Sequence, residues 1–233
     1  MKHPKRWLIV PAAGIGRRMQ AECPKQYLRI QSRFILDITL SRLLDSVAFD
    51  GCMVSLNPSD QWWVSTEASA DERISTCLGG HERSDSVLAA LQALSERASP
   101  DDWVLVHDAA RPCVHPADLE RLITVLADHP VGGLLAAPVS DTLKRGTGSD
   151  VPEVAETVDR RGLWRALTPQ MFRYGLLTEA LQSAGREQHP VTDESSALEF
   201  FGKMPVLVEG RTDNIKVTVP ADLELAGFLL SRS

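Results

Sequence analysis

The stretch WLIVPAAGIGRRM, residues 7–19, decides how the rest of the chain is read. Trp7 to Val10 are apolar without alternation, the pattern of a strand buried on both faces in a helix-covered parallel sheet. Gly14 and Gly16 then suggest a dinucleotide-binding turn. The third glycine of that turn is missing: Arg17, Arg18 and Met19 stand there, and no helical pattern opens. A Walker loop is excluded as well, because no Gly-Lys-Ser/Thr follows. What survives is a loop whose backbone N–H groups can approach phosphate oxygens, with Arg18 and Lys25 adding charge. Arginine offers bidentate geometry and lysine a point charge, a combination suited to a triphosphate. A tight turn with surface arginines would leave the same trace.

Outward from this stretch the pattern repeats. CMVSL (52–56), WVLVH (103–107) and GGLLAAP (132–138) also read as buried strands. Between them, 36–48, 84–97 and 116–129 show leucines and valines at helical spacing, and Pro116 suits a first helical turn. Further helices are expected over 173–185, 194–202 and 221–231, with a strand near 205–209 and an apolar run, NIKVTVP, at 214–220. Such alternation predicts an α/β fold: a Rossmann-like, three-layer arrangement with a mostly parallel sheet. The pattern breaks at 139–162, a polar segment with Gly-Thr-Gly and then the alternating VPEVAETV. That segment predicts a two-stranded arm projecting from a single domain spanning 1–233. A lone hairpin is marginal in water and needs a surface, such as a second subunit; a disordered loop is the other reading.

The 233 residues carry a net charge of -6, which argues against a general nucleic-acid binder. Residues 1–36 nevertheless hold eight Lys or Arg against one acid, Glu22, so this segment is +7 and the remainder -13. A locally basic, glycine-bearing segment in an acidic protein points to a small polyanion. The four cysteines form no C-x-x-C pair and the histidines lie far from them, so reduced thiols are expected and zinc is not. The apolar part of the N-terminus is too short for a signal peptide, and no uncharged run suffices to cross a bilayer. A soluble, cytoplasmic protein without a membrane partner is expected.

Ligands of open α/β sheets bind beyond the carboxyl ends of the strands. After the first strand come Pro11, Ala12, Ala13, Gly14 and Gly16. After WVLVH comes HDAARP, where Asp108 could hold a divalent metal, with a plain helix N-cap an equal reading. LGGHERSDSV (78–87) places Gly79 and Gly80 before a helix start, with Ser86 able to bond a base edge. A strand-turn-helix cap leaves the same trace. TDESSALE (192–199) reads as a capped helix start, and Lys216 is an odd charge within an apolar run unless it faces a ligand.

In order, VPAAGIGRRM-x5-KQYL, GGHERSDSV, VHDAARP, DTLKR, TVDRRGLW, LTPQMF, TDESSALE and GRTDNIKVT resemble one family over roughly residues 7–228. It is the family of 2-C-methyl-D-erythritol 4-phosphate cytidylyltransferases of the non-mevalonate route to isoprenoids. The resemblance implies transfer of a cytidylyl group from CTP to the polyol phosphate, with release of pyrophosphate. It implies Mg2+ or another divalent cation at Asp108, and a homodimer through the arm. Catalytic roles fall on Arg18, Lys25, Arg160 and Lys216. Nucleotide binding falls on Pro11, Ala12, Ala13, Gly14, Gly16, Arg17, Gly80, Ser86, Asp108 and Ala109. Substrate binding falls on Arg111, Thr142, Arg160, Thr168, Thr192 and Lys216. One departure stands out: His81 replaces the acid usual after the Gly-Gly pair, and little changes if backbone N–H makes that contact. A ribitol-5-phosphate cytidylyltransferase, and a non-catalytic CTP-binding module, remain alternatives.

Overall fold

The computed structural model describes residues 3–14, 23–148 and 150–232. The elements in chain order are β1 (Arg6–Pro11), β2 (Arg29–Ile30), β3 (Arg33–Phe34), α1 (Ile35–Leu44), β4 (Gly51–Leu56), β5 (Ile74–Leu78) and α2 (Arg83–Ala93). They continue with β6 (Trp103–Val106), α3 (Pro116–Leu126), β7 (Gly132–Pro138), β8 (Leu143–Gly146), β9 (Val154–Val158) and β10 (Trp164–Arg173). The chain closes with α4 (Tyr174–Arg186), α5 (Glu194–Phe200), β11 (Val206–Glu209) and α6 (Pro220–Leu230).

Seven strands form one sheet in the order β11-β7-β10-β6-β1-β4-β5. All neighbours run parallel except β10, which is antiparallel to both β6 and β7. β1 lies near the middle, and its period of two splits the protein into two cores. Leu8 and Val10 pack with Leu36, Leu40 and Leu43 of α1 and Leu119, Leu122 and Leu126 of α3. Trp7 and Ile9 point the other way, onto Val87 and Leu91 of α2, Leu177 and Leu181 of α4, and Leu198 of α5. The expected three layers are therefore present, with the uniformly apolar strands explained by burial on both faces.

Five of the six expected helices end earlier than expected, while α4 runs one residue further, to Arg186. Leu94, for example, is buried but serves as the C-cap of α2, its N–H bonded back to Ala90, and the chain then turns away. The expected arm forms as the β8–β9 hairpin, paired from Leu143↔Val158 to Gly146↔Val154. It exposes Val151 and Val154 and is inserted between β7 and β10, themselves an antiparallel pair. The run at 214–220 joins no strand; it is anchored as coil, with the Val217 N–H bonded to the Ala110 carbonyl at 2.8 Å.

Candidate active site

The carboxyl ends of β1, β5 and β6 open into a cleft of about 340 Å³. Pro11–Gly14 forms one wall, Gly80–Arg83 and Ser86 another, and Asp108–Ala110 the floor. Lys25, Gln26, Lys216 and Thr218 complete the lining. The fold thus brings together Pro11, Ala12, Ala13, Gly14, Lys25, Gly80, Ser86, Asp108, Ala109 and Lys216, all singled out in the sequence. Gly16, Arg17 and Arg18 lie outside the described residues.

The centre of the cleft is electrostatic. Asp108 is buried, and both of its oxygens are engaged: Arg83 Nε donates to Oδ1 at 2.9 Å, and Lys216 Nζ lies 2.8 Å from Oδ2. Arg111 Nε stands 3.5 Å from Oδ2 and has no hydrogen-bond partner, a buried donor left unspent. Burial pushes the Asp108 carboxyl upward, but the charges of Arg83, Lys216 and Arg111 outweigh it and hold the group far below the usual carboxylate range. Arg83 reaches a second carboxylate through its other two nitrogens, Glu194 at 2.6 and 3.0 Å. Lys25 extends its ammonium to the Val217 carbonyl at 3.2 Å. Arg83, Arg111 and Lys216 therefore gather around Asp108, with Arg83 also held by Glu194, three cations to two carboxylates at this point of the cleft and a setting suited to a polyanion.

Asp108 is also fixed from behind. Its N–H donates to Thr168 Oγ1, at 3.1 Å. The other partners settle the protons: Arg111 O can only accept, so His107 Nε2 donates to it, and Nδ1 accepts from the Thr168 hydroxyl, each at 3.1 Å. Burial lowers the His107 pKa to about 4, so this imidazole is neutral near pH 7 and serves the fold. Asn214 Nδ2 donates to the Thr168 carbonyl, and Arg111 Nη1 to the Asn214 carbonyl, at 2.8 and 2.7 Å. Thr168 and Arg111 thus lie beneath the cleft and outside its lining.

The paired glycines serve the protein's own packing. A Cβ on Gly79 would lie 2.5 Å from the Ala13 Cβ, and one on Gly80 would lie 2.2 Å from the Asp85 Cβ. Ser86 gives its one proton to the Glu82 carbonyl and accepts the Gly80 N–H, both at 3.1 Å, so its hydroxyl shapes the turn. His81 is exposed on the rim, 3.2 Å from Glu82. Thr192 sits at the start of α5, in a different hollow bounded by α2 and α4. Thr142 and Arg160 lie at the base of the arm, exposed, with Arg160 donating to the Ser140 carbonyl. A single chain does not bring these three into the cleft.

Sequence reasoning missed Arg83, Glu194 and Gln26. A signal for Arg83 was present: it occupies the first position of α2, where the helix dipole disfavours a cation unless carboxylates hold it. Among the described residues, no three His, Cys, Asp or Glu side chains gather as a metal site. Among them, too, no helix is long and apolar enough to cross a membrane.

Against known proteins, the profile of the 2-C-methyl-D-erythritol 4-phosphate cytidylyltransferases matches residues 7–232. The chain belongs to that family. The enzyme of Pseudomonas entomophila is 54% identical over 95% of this chain and 94% of its own length. That of Hahella chejuensis is 47% identical over 100% of this chain and 95% of its own. Among solved structures, the Francisella tularensis cytidylyltransferase superposes with a TM-score of 0.83 at 37% identity, covering 97% of this chain and 99% of that one. The chain is therefore a nucleotidyltransferase of the non-mevalonate pathway, forming 4-diphosphocytidyl-2-C-methyl-D-erythritol from CTP and the polyol phosphate. Its sheet, mostly parallel with small antiparallel hairpins, is that of the family.

Proposed function

We propose that the cleft holds the CTP triphosphate against the loop from Pro11 to Gly14, with the polyol phosphate meeting it over Asp108. An oxygen of the polyol phosphate forms a bond to the α-phosphorus, the bond from that phosphorus to the α–β bridging oxygen breaks, and pyrophosphate leaves. No general base is required, because a phosphomonoester with a second pKa near about 6 is already largely dianionic at neutral pH. The chain's work is to place two polyanions together and neutralise charge as it shifts. Lys25, Lys216 and Arg18 are assigned that role. The observation that supports it best is the gathering of Arg83, Arg111 and Lys216 around one buried carboxylate at the strand ends.

Asp108 fits a divalent ion of the kind that takes one protein carboxylate and completes its shell with water and phosphate oxygens. Binding would require Asp108 to exchange one of its present cation partners. The ion would supply further charge neutralisation at the phosphates. Arg160 and Thr142 reach a cleft only across a subunit boundary, so the arm is assigned to a homodimer in which each chain completes its partner's polyol-phosphate subsite. Exposed Val151, Val154 and Trp164 on and beside the arm support that docking.

The test is pyrophosphate release with CTP and Mg2+, comparing 2-C-methyl-D-erythritol 4-phosphate with ribitol 5-phosphate. Turnover with the first alone is expected. Silence with both acceptors despite measurable CTP binding would leave a regulatory CTP-binding module.

A further inference from the structure

Three consecutive carbonyls of the phosphate-facing loop are gripped by two side-chain amides. Gln26 is buried, and its Nε2 gives one proton to the Ala12 carbonyl at 2.6 Å and the other to the Gly14 carbonyl at 3.1 Å. Asn57, just beyond β4, donates from Nδ2 to the intervening Ala13 carbonyl at 3.0 Å. Its Oδ1 accepts the Ser59 N–H at 2.9 Å, so the orientation of this amide is settled at both ends. In a planar trans peptide the N–H points opposite to the carbonyl of the residue before it. Holding the carbonyls of Ala12 and Ala13 therefore fixes where the amide protons of Ala13 and Gly14 point.

The two amides belong to one closed circuit. The Asn57 carbonyl accepts the Asp60 N–H at 2.9 Å, and the Asp60 carboxylate accepts the Tyr27 hydroxyl at 2.7 Å. Trp62 stacks on the Tyr27 ring at 5.7 Å. Tyr27 adjoins Gln26 in the short helical turn Lys25–Tyr27, which also carries the Lys25 ammonium. Cation and loop are thus referenced to the same segment, 57–62, which never touches the cleft.

We propose that Gln26 and Asn57 are positioning residues for the nucleotide, setting the direction of the loop's amide protons before the triphosphate arrives. This rests on the reading of the cleft as the CTP site. A loop free to rotate its peptides is competent for only part of the time, and the apparent affinity falls by that fraction.

The test uses Gln26→Met, which keeps length and removes both donors, and Asn57→Asp, which keeps the Ser59 turn and removes the donor to Ala13. KM for CTP, KM for the polyol phosphate and kcat are measured by pyrophosphate release, with thermal midpoints in parallel. KM for CTP should rise about tenfold in each variant, the order expected for one or two lost hydrogen bonds. KM for the polyol phosphate should stay within about twofold of wild type. Folded variants with unchanged KM for CTP, or with a lower midpoint and a smaller active fraction alone, overturn the proposal in favour of a structural role. If Gln26→Met does not fold, Asn57→Asp decides alone. Absence of CTP-dependent turnover in the wild type is a separate result and removes the nucleotide reading itself.

Discussion

Arg83→Met should be among the most destabilising single changes in the cleft, more so than Lys216→Met, although both remove a cation from Asp108. The difference lies in what each leaves behind. Without Lys216, Asp108 keeps Arg83 at 2.9 Å and Arg111 at 3.5 Å. Without Arg83, the Glu194 carboxylate, 1% exposed, loses the cation that holds it at 2.6 and 3.0 Å. Stranding a buried charge costs about 3–5 kcal/mol. The Arg83 side chain is 27% exposed, so the lower end applies, about 3 kcal/mol. For a chain of this size that corresponds to a fall of about 6–12 °C in Tm. Lys216→Met should cost about 1 kcal/mol, or about 2–4 °C, since its side chain is 37% exposed and its partner stays compensated. Replacing the pair by apolar groups, Arg83→Met with Glu194→Leu, should recover at least half of the loss, because the desolvation of Glu194 disappears with its charge. Thermal unfolding and urea titration at pH 7.5 provide the readout. A Lys216→Met variant as destabilised as Arg83→Met, or a double variant no better than the single, refutes the account of Glu194 as dependent on Arg83.

Three further outcomes follow from the same geometry. Arg18→Ala and Lys25→Ala should each lower kcat by about 10²–10³ with a smaller effect on CTP affinity, as for a lost transition-state donor; near-normal turnover removes that residue from the mechanism. His107, held near 4 by burial, stays neutral in the folded protein while the unfolded chain takes a proton below its ordinary value near 6.5. Its contribution to stability is therefore present above about pH 6.5 and lost as pH falls toward 4, by about 2 kcal/mol at pH 5. His107→Gln should remove that part of the slope in Tm between pH 7.5 and 5, and an unchanged slope contradicts the assignment. Gly79→Ala would set a Cβ 2.5 Å from the Ala13 Cβ, forcing the loop to move, and should raise KM for CTP; an unaltered KM shows that the loop tolerates the shift.

The layers of the fold were legible because four strands are apolar on both faces and the helices between them are amphipathic at one spacing. The reversed direction of β10 was legible in principle. Between Pro138 and Trp164 there is no helical pattern, and a parallel return would need such a crossover. The strand ends also located part of the cleft, since Pro11 and Asp108 each lie at the end of an apolar run, while Gly80 was marked by its glycine pair before a helix start. Arg83 and Glu194 were harder. They lie 111 positions apart, and their pairing depends on α2 and α5 packing on the same face of the sheet, which no local pattern encodes. Gln26 and Asn57 were invisible for a related reason: each acts through backbone carbonyls, which leave no trace in side-chain chemistry.

β10 has a consequence beyond the sheet. A single strand begins at Trp164, beside the root of the arm, shifts its register against β7 between Ala166 and Gln170, and runs into the interior at Phe172. Midway along it, Thr168 accepts the N–H of Asp108. The strand therefore links the root of the arm to the buried carboxylate of the cleft. In the homodimer proposed above, a displacement of the docked arm would pass along this strand to the Asp108 N–H.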